Sequence, residues 1–404
     1  VRIVMVTDYY LPTLGGVQTL VKAHKEALER AGHTVVVACP LAEPSADPSV
    51  VALPISPVFN PDGYPFTWPY ARTEQVLREA LIDADIVHVH SEMIGAIAGL
   101  RVARELGIPI VQTMHGRIDV YTASVLPLPS VTTIPLAWLH RRRIPHVAPI
   151  AGGERFTSTR LARRMWRLMV NQANYADHVI VPSAHFAAKL RGQGVTSPLT
   201  VLSNGLEDSV LDQLTGARPR VPDGGLRVMW CGRVSPEKRP EVLIEALAQL
   251  PGSVTADLYG EGLALAATRR LIGRLGLAGR VRLHGAVPQS EVLAASLDHD
   301  VFVSTSYDFD NQPMVILEAI ASGLPVVISD PDLGESIPDG GFVATAEPTA
   351  TALAAELRRL LDTPERVTAM SRALLADAGG AAQQTHLDGL LAVYRGLLAS
   401  RSNA

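Results

Sequence analysis

The residues whose types and spacing bear on chemistry fall in a few loops. Asp310 and Glu318 are carboxylates eight positions apart, in Asp310-Asn311-Gln312-Pro313-Met314-Val315-Ile316-Leu317-Glu318. Pro313 favours a first helical turn, which puts Asp310 in the loop before a helix. Glu318 then lies inside that helix, amid Val315, Ile316, Leu317, Ala319 and Ile320. A carboxylate there needs a partner, and a ribose diol supplies two O–H donors. An acid on an exposed helix face is the plainer alternative. Arg233 and Lys238 stand five apart in Gly232-Arg233-Val-Ser-Pro-Glu237-Lys238-Arg239. A fork of guanidinium donors and a compact ammonium can converge on one pyrophosphate, although a solvated basic loop has the same composition. Gly15 and Gly16 sit in the loop from Asp8 to Gln18. There the backbone can approach a ligand and a helix start offers free N–H groups, which suits a diphosphate; a plain strand–helix turn reads the same way. His115, followed by Gly116, stands after a strand candidate at 108–113. It can donate a hydrogen bond, act as acid or base, or be a satisfied structural histidine.

Other clusters carry less. His88 and His90 share a strand face but have no third ligand in view, so no metal site is expected. The acid pairs Asp308/Asp310, Asp298/Asp300 and Asp330/Asp332 flank strands, where acids commonly begin or end loops. Cys39 and Cys231 are the only cysteines, too few for a disulfide scaffold or a zinc site. Cys231 reads as a small buried residue rather than a nucleophile, and a reducing cytosol is the expected home.

These residues need a scaffold. At 404 residues, two or three domains of roughly 150 residues each are expected. With 47% hydrophobic and 19% charged residues the chain is globular, not extended and disordered. A net charge of −4 argues against coating nucleic acid. The first six residues are apolar but too short for a signal segment, and no run of about 18 uncharged apolar residues spans a bilayer.

Short β-branched runs alternate with helical patterns. Strands are expected at 3–6, 35–38, 86–89, 108–113, 178–181 and 199–201, with helices at 17–30 and 73–82 among those between them. The scheme repeats with strands at 227–230, 255–259, 281–283, 301–304 and 325–328, and helices at 240–249, 263–275, 291–296, 314–322 and 350–361. A Gly- and Pro-rich stretch at 214–225 reads as a linker. The fold class is therefore α/β: two doubly wound, Rossmann-like domains of parallel sheets facing across a cleft, at 1–210 and 226–375. Residues 376–404 form a C-terminal helix, with a periodic pattern at 381–400, that packs back on the N-terminal domain. Ligands are expected outside the carboxyl ends of the strands.

The pieces, in this order, resemble the retaining glycosyltransferases of family 4, which have the GT-B architecture. The resemblance covers Gly15-Gly16, His115-Gly116, Ser183, Asn204-Gly205, Gly-Arg-x4-Lys at 232–238, Gly260-Glu-Gly262, Gly285 and the carboxylate pair with Ala319. It implies a UDP- or GDP-linked sugar donor bound mainly by the second domain. Arg233 and Lys238 would neutralise the departing diphosphate, Glu318 would hold the ribose, and Asp310, with Asn311, Gln312, Met314 and Val315 after it, would hold the sugar. Gly232, Gly260 and Gly262 would line the donor; Gly15 and Gly16 would approach the diphosphate from the first domain, and His115 would contact the donor sugar. Tyr9, Tyr10 and Gln18 would line the acceptor side. The family usually needs no metal or other cofactor. Two departures stand out: Asp310 where most members carry Glu, and Pro313, which lacks an N–H, where most carry Gly.

Asp310-Asn-Gln312 is similar to the Glu-Thr-Gln of bacterial diacylglycerol glucosyltransferases, and Gly15-Gly16-Val17-Gln18 is similar to the loop of phosphatidylinositol mannosyltransferases. Independently, residues 141–170 hold eight arginines against one acid. A helix with Leu161, Met165, Leu168 and Met169 on one face, Trp166 beside them and Arg160, Arg163, Arg164 and Arg167 around can lie on an anionic membrane. The Pro-broken apolar stretch at 126–139 reads as a lipid-facing loop. The expectation is a cytoplasmic enzyme, peripheral on the inner face of the plasma membrane, glycosylating a glycerolipid or phosphoinositide. The alternatives are a soluble acceptor (aminocyclitol, inositol phosphate or oligosaccharide), with the arginines solvated or binding phosphate, a non-catalytic sugar-binding module, and an epimerase of the same architecture.

Overall fold

The computed structural model describes all residues except 12–14, 44, 61–64, 146–148, 378–382, 403 and 404. Residues 12–14 of the first-domain glycine loop and the first two residues of the pattern at 381–400 thus lie outside the described residues. The chain divides into two compact units, Val1–Ser203 with Gln384–Ala404, and Asn204–Gln383.

The first unit runs β1 (Arg2–Val6), α1 (Gly16–Arg30), β2 (Thr34–Pro40), β3 (Val50–Leu53), α2 (Tyr70–Leu81), β4 (Ile86–Val89), α3 (Ile94–Glu105), β5 (Ile110–Thr113), α4 (Ile118–Val125), α5 (Pro129–Arg143), α6 (Arg160–Tyr175), β6 (His178–Val181), α7 (Ala184–Gly192) and β7 (Leu199–Val201). Its seven strands pair in parallel in the order β3-β2-β1-β4-β5-β6-β7. Helices cover both faces, so the central strands are apolar on both sides. Along β1, Val4 and Val6 point into one core while Ile3 and Met5 point into the other.

The second unit runs α8 (Asp208–Gln213), β8 (Leu226–Cys231), α9 (Pro240–Leu247), β9 (Val254–Tyr259), α10 (Leu265–Arg274), β10 (Val281–Gly285), α11 (Gln289–Asp298), β11 (Val301–Ser304), α12 (Met314–Ala321), β12 (Val326–Ile328), β13 (Phe342–Ala344), α13 (Ala350–Asp362) and α14 (Pro364–Ala376). Its six-stranded sheet has the order β10-β9-β8-β11-β12-β13. The chain ends in α15 (Gln383–Ser402), where Leu387, Leu390 and Tyr394 bury against the β1–β2 face of the first unit.

Several features depart from the sequence reading. The stretch at 126–139 is not a loop: it holds most of α5, whose first residue is Pro129 and which carries Pro135 in its interior. Residues 214–225 are not a free linker. Leu214 is buried, the Arg220 N–H donates to Ser371, and its guanidinium donates to the carbonyls of Ser296 and Ser322. The chain passes to the second unit at 203/204 rather than at 210, because Leu206 and Val210 bury against the α12 side of that unit's core.

Candidate functional site

In each sheet the chain reverses direction between two central neighbours, β1 and β4 in the first unit and β8 and β11 in the second. That switch point opens a crevice at the strands' carboxyl ends, where doubly wound folds bind ligands.

In the second unit, Gly232-Arg233 follows β8 and Thr305-Ser306 follows β11. Lys238 reaches Asp310 with Nζ 2.6 and 2.7 Å from the two carboxylate oxygens, and lies 5.3 Å from the centre of the Phe309 ring. Its backbone is pinned from β11: Thr305 Oγ1 donates to the Lys238 carbonyl at 2.6 Å and itself accepts from Trp230 Nε1 at 3.0 Å. The Arg233 guanidinium donates to Glu237 Oε1 at 3.1 Å, an oxygen that also accepts from Ser235 at 2.6 Å. Arg233 and Lys238 thus lie in one loop, each held by a carboxylate, and both keep part of the side chain in solvent. Lys238 and Arg233 are thereby preorganised cations at the switch point.

The glycines predicted around this loop have a packing reason. A side chain on Gly260 would put its Cβ 1.9 Å from the Gly232 carbonyl oxygen, and one on Gly262 would come 2.5 Å from the Val234 carbonyl oxygen. The 260–262 loop therefore rests directly on the 232–234 loop, backbone against backbone.

Pro313 directly precedes α12 rather than opening it, and Met314 is the first helical residue. Glu318 is buried in α12, its Oε1 accepting from Gln289 Nε2 at 2.7 Å. Burial pushes its carboxyl above the usual range. Asn311 and Gln312 are buried too; the Gln312 Oε1 accepts from the Asn204 N–H at 2.6 Å, tying the carboxylate loop to Asn204-Gly205. Met314 and Val315 are half-buried. Burial and the nearby Glu318 push the Cys231 thiol up to about 12, so it stays protonated.

The acid pairs have local structural work. Asp300 accepts from the Arg227 guanidinium and N–H, and Asp330 accepts from the N–H groups of Asp308 and Asp332. Among the described residues no group of three or more His, Cys, Asp or Glu is arranged to hold a metal ion.

In the first unit, Asp8 after β1 is buried and accepts from Thr67, from Ser91 and from the N–H groups of Gly95 and Ala96 at the start of α3. Gly15 precedes α1 and Gly16 opens it. Gln18 is buried, and its Oε1 lies 2.5 Å from where a Gly15 Cβ would stand. Tyr9 packs edge-on against Tyr121. Tyr10 sits in the core beside β1 and β2.

Three residues after β4 join this region without a functional signal of their own in the sequence: His90, one half of an incomplete metal pair, Ser91 and Glu92. His90 Nδ1 lies 3.2 Å from His115 Nε2, and the two rings stack. His24 and His88 meet His90 with tilted rings, and His386 stacks on His24, so that five histidines form one cluster. His88 is held by Tyr394 and Thr113 at 2.7 Å each. Burial, with His386 as a minor cause, pushes His115 down to about 3, so at neutral pH it is an uncharged imidazole. It can donate or accept a hydrogen bond there but holds no spare proton. Glu92 is buried with Oε1 unpartnered, and burial plus the nearby Asp8 push its carboxyl up to about 8.

The basic segment differs from its sequence reading. Trp166 is 0% exposed, packed against a tilted Phe156 ring and the edge of Phe186 with the Arg117 guanidinium 5.3 Å from its ring, and cannot touch a membrane. Leu161, Met165, Leu168 and Met169 are equally buried in the core. Arg160, Arg163 and Arg167 are exposed and Arg164 is half-buried. The exposed apolar face belongs to α5 instead, where Val131, Ile134 and Trp138 (57% exposed) follow helical spacing after the exposed Leu128. Arg142 lies 5.0 Å over Trp138. Among the described residues no helix is long and apolar enough to cross a membrane.

The known-protein comparisons agree with this architecture. The family model described as Glycosyltransferase Family 4 matches residues 14–210, and the one described as Glycosyl transferases group 1 matches 217–374. The chain belongs to this two-domain glycosyltransferase family. A GDP-mannose-dependent alpha-mannosyltransferase of Mycobacterium tuberculosis is 27% identical over 82% of this chain and 79% of that one. The alpha-monoglucosyldiacylglycerol synthase of Acholeplasma laidlawii is 24% identical over 84% of this chain and 83% of that one. D-inositol 3-phosphate glycosyltransferase 1 of Catenulispora acidiphila is 28% identical over 78% and 72%. Among solved structures, Anabaena HepE in complex with UDP superposes with a TM-score of 0.71 at 18% identity, covering 98% of this chain and 100% of that one. Sucrose-phosphate synthase of Thermosynechococcus elongatus gives 0.73 at 17%, covering 99% of each. These structural likenesses establish the GT-B fold. The activity of this glycosyltransferase is transfer of a sugar from a nucleotide sugar.

Proposed function

We propose that the protein moves a hexosyl group from a UDP- or GDP-linked sugar to a hydroxyl of a membrane glycerolipid or phosphoinositide, with retention of anomeric configuration and without a metal. The observation that carries the donor half is the pair of held cations, Arg233 on Glu237 and Lys238 on Asp310, at the switch point of the second unit. A diphosphate entering there competes with Asp310 for Lys238. Once Lys238 turns to the phosphate, Asp310 is released to accept hydrogen bonds from the sugar hydroxyls. Positive charge fixed in advance stabilises the negative charge that grows on the departing diphosphate, a contribution of about 10²–10³ in rate per contact.

Glu318 holds the ribose, exchanging its Gln289 partner for the diol. Gly232, Gly260 and Gly262 keep the loops low enough for the donor, and Asn311, Gln312, Met314 and Val315 shape the sugar pocket. Within the first unit, Gly15 and Gly16 would serve a diphosphate, uncharged His115 a sugar hydroxyl with His90 setting its tautomer, and Tyr9, Tyr10 and Gln18 an acceptor. The exposed apolar face of α5 beside the arginines of α6 supports the reading of a lipid acceptor and of an enzyme peripheral on the cytoplasmic face of the membrane.

The test is transfer from labelled UDP-glucose and GDP-mannose, in the presence and absence of a chelator, to vesicles containing diacylglycerol or phosphatidylinositol or to soluble inositol phosphate. The reading expects chelator-insensitive label in the lipid phase with retained configuration. Label only in the water-soluble product would replace the lipid acceptor by a soluble one.

A further inference from the structure

Between α5 and α6 lies a cavity of about 290 Å³ lined by His140, Arg141, Arg160, Arg163, Arg164 and Arg167, with Leu168 and Asn171 at its base. Five guanidinium groups border one small space, and among the described residues no acidic side chain lines it. Like charges so close repel unless an anion sits among them. The rim is built rather than loose: Arg164 Nη1 donates to the Ser130 carbonyl at 2.7 Å and to Thr133 Oγ1 at 2.8 Å, locking α6 to α5. The base holds two unmet polar groups. His140 and Asn171 are each 2% exposed, yet His140 Nε2 and Asn171 Oδ1 have no hydrogen-bond partner. Buried polar atoms are rarely left so without a ligand or water to serve. The Asn171 amide can present its NH₂ after a half-turn.

The cavity does not stand alone. A second one, of about 660 Å³, shares Ala137, Arg141 and Arg164 with the first and is otherwise lined by Ile134, Trp138 and Arg142. The arginine-lined space therefore opens beside an apolar face that includes an exposed tryptophan.

We propose that this is a phospholipid headgroup site: the phosphate of an anionic glycerophospholipid enters the arginine cavity, and its apolar portion lies along Ile134 and Trp138. Guanidinium forks match phosphate oxygens in pairs, which favours a phosphate over a carboxylate of equal charge. The site rests on the membrane reading above but adds to it, since it makes membrane contact selective for a headgroup rather than for negative charge alone.

The test needs neither donor nor acceptor. Phosphatidylcholine vesicles with and without phosphatidylglycerol are titrated with the full chain, alone and with glycerol phosphate as competitor. The double variant Arg163→Gln/Arg167→Gln is compared with Arg30→Gln/Arg72→Gln, which removes the same charge from exposed positions elsewhere on the first unit. A basic residue at an anionic surface contributes about five-fold, so the cavity pair is expected to weaken phosphatidylglycerol binding about 25-fold. The control pair should change it little, and glycerol phosphate should compete. Equal weakening by both pairs, or no competition, overturns the headgroup site and leaves the membrane reading standing. Binding of glycerol phosphate without binding of vesicles overturns both in favour of a soluble phosphate ester. Neither result bears on the donor assignment.

Discussion

Replacing Glu92 by Gln makes a quantitative test of the first unit's switch point. Its carboxyl, buried beside Asp8, ionises at about 8 in the folded chain against an ordinary 4.5. Between those values the folded state keeps a proton that the unfolded state has released. Stability from this group is therefore full below the ordinary value and is lost as the pH rises through about 8. Each pH unit in the window costs about 1.4 kcal/mol. Gln fills the same space and does not titrate. The unfolding free energy of the native chain minus that of Glu92→Gln should thus fall by about 3 kcal/mol from pH 5.5 to 7.5. Taking the difference cancels the buried histidines His24, His88, His90 and His115, all shifted down by burial and titrating in both proteins. The assay is urea unfolding of both proteins across that range, followed by circular dichroism, with the infrared band of a protonated carboxyl at neutral pH as a second readout. A difference that stays flat with pH, with no band lost in the variant, would refute the claim that Glu92 is held protonated.

Three further outcomes follow. Arg233→Ala and Lys238→Ala should each lower kcat by about 10²–10³ while circular dichroism and the melting temperature stay near those of the native chain; near-native turnover in both would remove the diphosphate clamp. Trp166→Ala should lose about 3–5 kcal/mol of stability by emptying a core site, whereas Trp138→Ala should leave stability within about 0.5 kcal/mol and weaken vesicle binding instead. The reverse pattern in denaturation and co-sedimentation would return the membrane contact to α6. Gly260→Ala should unfold or displace the 232–234 loop, since its Cβ has no room against a backbone carbonyl, and should abolish nucleotide binding; retained affinity by calorimetry would mean the loops part readily.

What was legible in the sequence follows from where the signal is local. Strands such as β4, β6 and β11 are continuous apolar runs because both their faces are covered, and their bounds could be read to the residue. The edge strands β3 and β13 are absent from the sequence reading, and neither shortness nor edge position accounts for it, since the three-residue edge strand β7 is legible at 199–201. Helix α3 was not read because it is buried on nearly every face, and Gly95, Ala96, Ala98 and Gly99 give it no polar stripe. Helix α5 hid behind two prolines, of which Pro129 opens the helix and Pro135 is tolerated on its exposed side. In the site, Lys238, Asp310 and Glu318 were legible as charges in loops or apolar surroundings. The pairing of Lys238 with Asp310 was not, because 72 residues separate them and only the β8–β11 adjacency joins them. Glu92 and the histidine cluster were invisible for the same reason: neighbouring strand ends from distant parts of the chain create their burial. Trp166 misled because a helix with one apolar face looks the same whether that face meets a sheet or a membrane.

The central claim is that the second unit's switch point holds a nucleoside diphosphate. Calorimetric titration of the full chain with UDP and with GDP tests it most directly, in the native protein, in Lys238→Ala and in Glu318→Gln. The account predicts saturable one-to-one binding of one of the two nucleotides, weakened about ten-fold or more in each variant, since removing a charged hydrogen bond costs about 1.5–3 kcal/mol. Binding of neither nucleotide, or binding of equal strength in all three proteins, would contradict it.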